Sequence, residues 1–109
     1  METRIEKTLK QWFPIVFNNK EKFNSDYEIL RFFANYTQYL IDTNDEKRKE
    51  PFKIINLLYS RGKKNEKNAI ENEFFYVLAK SQKSTNLMEQ LELMPETIRN
   101  VYLKTILEN

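Results

Sequence analysis

The chain has 109 residues, with 18 lysines and arginines against 16 aspartates and glutamates, a formal net charge of +2, and 40% hydrophobic and 14% aromatic residues. That is chain enough for one domain with one core, too apolar for disorder and far too polar for a membrane protein. With neither cysteine nor histidine present, disulfides, thiolate chemistry and imidazole-based catalysis or zinc binding are excluded.

An enzyme built from this composition would rely on carboxylates, Lys, Tyr or Ser held in a shaped cleft, and no such constellation is visible. The expectation is a non-enzyme with no cofactor and no metal site. The N-terminal METRIEKTLKQWF alternates charge with apolar residues and lacks the apolar run of a signal peptide; no later stretch is apolar enough to span a bilayer. A cytoplasmic protein without membrane contact is expected.

In chain order, Ile5, Leu9 and Trp12 make the buried stripe of a first helix over residues 2–12, which Pro14 ends or kinks. Ile15, Val16 and Phe17 add a turn or an extended apolar segment before the polar run Asn18 to Lys22. The organising stretch is Tyr27 to Asp42. Leu30, Phe33, Ala34, Thr37, Leu40 and Ile41 recur at three- and four-residue steps, and Ile29, Phe32, Tyr36 and Tyr39 widen that face to most of the circumference. A helix apolar nearly all round is a central helix covered from several sides. Ser25 or Asn24 is its N-cap, and Thr43, Asn44 and Asp45 end it.

A third helix reaches Arg61 and starts near Glu50, because Pro51 is tolerated only in a first turn. Phe52, Ile55, Leu58 and Tyr59 form its stripe, and Gly62 stands where a left-handed C-cap would. A fourth helix covers Glu66 to Lys80 on Ile70, Phe74, Val77 and Leu78, with Phe75 on the margin. After a polar break at Ser81 to Thr85 come a short helix, Asn86 to Leu93, and a last one opened by Pro95, with Ile98, Val101, Tyr102, Thr105 and Ile106 facing inward.

No hairpin signal or sustained period-two alternation appears, so the fold class is all-α. Short connections imply a compact bundle of five to six helices in antiparallel hairpins within a single domain, residues 1–109. Phe32-Phe33 and Phe74-Phe75, 42 residues apart, leave a short HEAT/armadillo-like helical stack as the alternative.

Charge is uneven: Lys47 to Lys67 holds eight basic residues against Glu50 and Glu66. The two basic ends of the third helix would lie roughly 20 Å apart, positioned for phosphates or for an acidic protein surface. Solvated loop ends are the bland alternative. Glu71 and Glu73, two apart on a helix, face different ways and cannot form a carboxylate dyad. Glu73 is expected to be exposed; a buried Glu73, the alternative, would need Arg31 or Arg99. Asn35 and Asn56 read as hydrogen-bonding residues beside the core. The tyrosines read mostly as core residues with polar tips, and a few exposed together would make an interface.

The segments RFFANYTQYLID (Arg31 to Asp42), LLYSRG, NAIENEFFYVLA and LMPETIRNVYLKTI resemble a family of small bacterial all-helical proteins of uncharacterised function. The resemblance covers residues 25–107 and implies no catalytic residue. In size and helical-hairpin character such proteins are similar to immunity proteins, which neutralise a toxin by binding it, an analogy of fold alone. The expectation is therefore a protein-binding module, an immunity protein being one form of it. Its partner contact is expected at the corner of the third and fourth helices, on Tyr59, Arg61, Lys63, Lys64 and Lys67. The alternative is a nucleic-acid-binding module using the Lys47 to Lys67 charges, and self-association into a homo-oligomer is a separate expectation to test.

Overall fold

The computed structural model describes residues 2–17, 22–81 and 87–108, and every regular element among them is a helix. Helix α1 (Arg4–Trp12) begins where the Thr3 hydroxyl accepts the Glu6 N–H. Ile5 and Leu9 are fully buried, but Trp12, expected on the same stripe, is 57% exposed. The cause lies one residue on. Phe13 turns inward, its ring 4.9 Å from that of Phe33, and the turn through Pro14 carries Trp12 to the surface. Phe17 closes this turn by bonding to the Phe13 carbonyl and is buried against Phe23, Phe32 and Phe33.

Helix α2 (Asp26–Asp42) is capped by Ser25, whose hydroxyl accepts the Glu28 N–H. It ends in a Schellman motif. Asn44 takes a positive φ of 54°, its N–H bonds to the Ile41 carbonyl, and the Asp45 N–H reaches back to Leu40. Ile29, Leu30, Phe33, Ala34, Thr37, Leu40 and Ile41 are buried, as their spacing predicts. The helix is not covered all round, however. Tyr27, Arg31, Asn35 and Tyr39, one every four residues, leave one side open to solvent.

Helix α3 (Glu50–Arg61) starts with Pro51 in its first turn, as expected. Gly62 is a correction: its φ of −79° and ψ of 154° are extended, not left-handed. Glycine is required there by space, since a Cβ would stand 2.7 Å from the Leu58 carbonyl oxygen and 3.3 Å from the Glu66 Cβ.

Residues 64–81 form one continuous helix, α4, with a break in its winding: Ile70–Phe75 is π-helical, between regular turns at Lys64–Ala69 and Tyr76–Ser81. The expected helix was regular, with Phe75 marginal. Instead Phe74 and Phe75 are both fully buried, Phe74 against Phe33 and Phe52 and Phe75 against Tyr102. The widened turn lets two adjacent rings enter different parts of the core. The polar break beyond Ser81, Asn86, and most of the Asn18 to Lys22 run lie outside the described residues.

Helices α5 (Leu87–Leu93) and α6 (Glu96–Glu108) complete the chain. Arg99 donates to the Leu91 and Met94 carbonyls, closing the end of α5. A polar chain, buried as far as Gln38 and reaching the surface at Asp42, joins three helices: the Tyr102 hydroxyl donates to Gln90, Gln90 to Gln38, and Gln38 to Asp42. The described residues form a compact globule of six helices with a radius of gyration of 13.0 Å, the size expected of a packed domain this long.

Helices α3 and α4 are antiparallel, with Tyr59 beside Glu71 and Phe52 against Phe74. Helices α2 and α4 run the same way, because their contacts rise together, from Arg31–Glu73 onward through the groove between Asn35 and Val77. The two Phe-Phe dipeptides of the sequence echo lie on these neighbouring helices, with Phe33 and Phe74 rings 5.9 Å apart.

Candidate functional site

The α3–α4 corner is the first place to look. Tyr59 is half-buried and donates its hydroxyl to Glu71, while the Lys67 ammonium lies 5.4 Å from its ring centroid. Burial and then the neighbouring carboxylate push the Tyr59 pKa up to about 12. Two of the five expected contact residues are thereby engaged in holding α3 to α4.

Arg61, Lys63 and Lys64 are exposed and make no ion pair among the described residues. Arg61 and Lys63 line a shallow depression with Arg4 and Asp26 at the start of α4. Below them Glu66 is buried, accepting from the Lys63 N–H and from Arg4. Burial alone would raise the Glu66 pKa, but the hydrogen bonds from Arg4 and Lys63 outweigh it and hold the carboxyl below its ordinary value.

A different face brings more groups together. Along α2 the open row is Tyr27, Arg31, Asn35 and Tyr39; along α4 the exposed row is Asn68, Asn72, Tyr76 and Lys80. Both rows step by four residues, and where the parallel helices meet, Arg31 and Asn35 of the first lie beside Asn72, Tyr76 and Lys80 of the second. In a regular helix such a row drifts around the axis, because four residues exceed one turn of 3.6. The wider π turn at Ile70–Phe75 works against that drift in α4, and Asn72, Tyr76 and Lys80 all line the side toward α2.

Between the rows lies a groove of about 510 Å³, walled by Arg31, Asn35, Asn72, Tyr76 and Lys80 and floored by Glu73 and Val77. The side chain of Glu73, expected to be exposed, is only 13% exposed and is paired with Arg31, one of the two partners named for the buried alternative. Arg31, held by that hydrogen bond, has its pKa raised. Lys80 sits 5.1 Å from the Tyr76 ring centroid. Asn35 and Asn72 have no hydrogen-bond partner among the described residues. Tyr27, Tyr39 and Tyr76 are 42%, 62% and 39% exposed.

Sequence reasoning grouped Tyr39 with the core because tyrosine counts as apolar in a periodicity. The four-residue row holding Arg31 and Asn35 was the signal that this side of α2 is open. A second, more apolar cleft of about 410 Å³ lies by the exposed Trp12 and Ile15, against Tyr36 and Lys47. Among the described residues no group of three or more acidic side chains is placed to hold a metal ion, and no helix is long and apolar enough to cross a membrane.

No curated protein and no solved structure matches the chain. One family model does, over residues 6–108, nearly the whole chain. On that match, the chain belongs to the family described as a domain of unknown function, DUF7674.

Proposed function

We propose that this protein works by binding another protein, through the face that α2 and α4 form together. The observation that carries this reading is the exposure of three tyrosines on these two helices, Tyr27 and Tyr39 on α2 and Tyr76 on α4, the last lining the groove between them. Tyrosine offers large contact area at low entropic cost and is enriched in interfaces and their hot spots. The similarity in size and hairpin character to immunity proteins makes a bacterial toxin one partner to test. The experiment is affinity capture from native cells with nuclease treatment, using the wild-type protein and Tyr39→Ala/Tyr76→Ala. A stoichiometric protein that survives nuclease and is lost with the variant is expected; one captured equally by both rejects this face.

A second reading rests on Arg61, Lys63 and Lys64, three exposed cations at one corner without ion pairs among the described residues. They suit a phosphate backbone, and binding there would fall steeply with salt. A gel shift with labelled DNA or RNA at low salt tests it. Arg61→Glu/Lys63→Glu/Lys64→Glu should abolish any shift, and no shift with the wild type removes the reading.

A further inference from the structure

We infer that the outward face of α3 binds the phosphate backbones of a nucleic-acid duplex without regard to base sequence, a statement that rests on the phosphate-binding reading of the corner cations and specifies its ligand. Lys49, Lys53, Ser60 and Arg61 are exposed along the side of α3 that faces away from the buried Phe52, Ile55 and Leu58. Lys63 and Lys64 are exposed just past Gly62, and Arg61 and Lys63 share one depression. The helix face carries one carboxylate, Glu50, which Lys53 already neutralises at 3.2 Å. Lys49, Arg61, Lys63 and Lys64 make no ion pair among the described residues. Residues 47–67 hold eight basic residues against two acidic ones in a chain whose total is only +2, so the remainder is net acidic. A polyanion is thus drawn to this face and repelled from the rest.

What the face lacks selects among polyanions. A protein partner needs an apolar, aromatic centre from which lysine is depleted, and no aromatic side chain is exposed on α3. A single strand is held by stacking its bases on exposed aromatic rings. The exposed tyrosines are on α2 and α4, and Tyr59, the aromatic at this corner, is half-buried beside Lys67 and bonded to Glu71. A duplex stacks its own bases and offers phosphates alone, which is what a polar, positive face can use. Spacing agrees. Lys49 and Arg61 lie roughly 18 Å apart by helix rise, so the two ends of α3 reach past a major groove about 12 Å wide to phosphates of both strands.

The test is fluorescence anisotropy of a labelled short duplex of mixed sequence, and separately of one of its strands, titrated with the full chain from low to moderate salt. Lys49→Gln, Arg61→Gln and Lys63→Gln each remove one exposed charge, and circular dichroism checks that the variants are folded. Lys104→Gln removes an exposed charge from α6 as the control. The expected result is duplex binding whose logarithmic dependence on salt has a slope of about −4, the value for four to five neutralised phosphates. Each α3-face variant should flatten that slope by about 0.9, and the control should leave it unchanged.

A slope that the control flattens as much as the α3 variants do would overturn the inference, because general attraction to a lysine-rich chain would then explain the binding. A single strand bound as tightly as the duplex through the same cations would overturn the duplex assignment and leave the phosphate-binding reading standing. No binding of either probe at low salt would remove both. None of these outcomes touches the protein-binding face, which is judged by capture with Tyr39→Ala/Tyr76→Ala.

Discussion

Arg31 and Glu73, separated by 42 residues, form an ion pair that ties the open side of α2 to the π segment of α4. The pair bridges the two helices at the groove. In a thermal-melting cycle, Arg31→Glu and Glu73→Arg should each lower the midpoint, and the double variant should recover part of the loss. Coupling of this kind is expected only for residues in contact. Strictly additive losses would show that the pair does not couple the two helices.

Gly62 is needed for space. Its backbone angles suit any residue, yet a Cβ would come within 2.7 Å of the Leu58 carbonyl oxygen. Gly62→Ala should therefore destabilise the fold by about 1–3 kcal/mol, the usual cost of overpacking. Urea unfolding measures it. A stabilised variant would mean that the α3–α4 corner yields freely and that the reduced freedom of the unfolded chain dominates.

Removing the Tyr102 hydroxyl tests the buried polar chain. Tyr102 and Gln90 are both fully buried, and the hydroxyl donates to Gln90 Oε1 at 2.6 Å. Tyr102→Phe leaves that acceptor unpaired in the core, which should cost about 1–3 kcal/mol in urea unfolding. Its ring packing on Phe75 is retained, so a larger loss would point to repacking instead.

Alkaline pH should weaken the fold through two tyrosines. Burial raises the Tyr102 pKa above its ordinary value of 10.0, and burial with Glu71 takes Tyr59 to about 12. Above pH 10 the unfolded chain releases these protons while the folded protein keeps them, so stability falls as pH rises. Their contribution is intact below pH 10, and the Tyr59 part is lost progressively between 10 and about 12. Tyr59→Phe and Tyr102→Phe should each flatten the alkaline arm of a plot of stability against pH. An unchanged slope would show that these hydroxyls titrate alike in both states.

Residue by residue, legibility tracked how local the cause was. The Ser25 cap, Pro51 in the first turn of α3 and the buried rows of α2 follow from short-range rules, and they appear where expected. Trp12 failed because a stripe drawn by period cannot foresee that Phe13 will outcompete it for the core at a proline turn. Gly62 failed because its reason is a neighbour's carbonyl, which lies outside any rule about glycine's own angles. Of the expected contact residues, Tyr59 and Lys67 are drawn into α3–α4 packing, and Arg61, Lys63 and Lys64 remain exposed.

By itself the sequence determined the all-α class and most helix limits, and its lack of histidine and cysteine closed off whole classes of chemistry, because these depend on composition and on contacts within a few residues. Only the tertiary structure decided that α2 and α4 run side by side in one direction, that α4 holds a π turn, and that Arg31 and Asn35 share a groove with Asn72, Tyr76 and Lys80. Those features arise when Phe74 and Phe75 enter separate parts of the core and when Glu73 meets Arg31 across the helix pair. The spacing of residues along the chain does not encode which helices become neighbours; the packing of their buried side chains does.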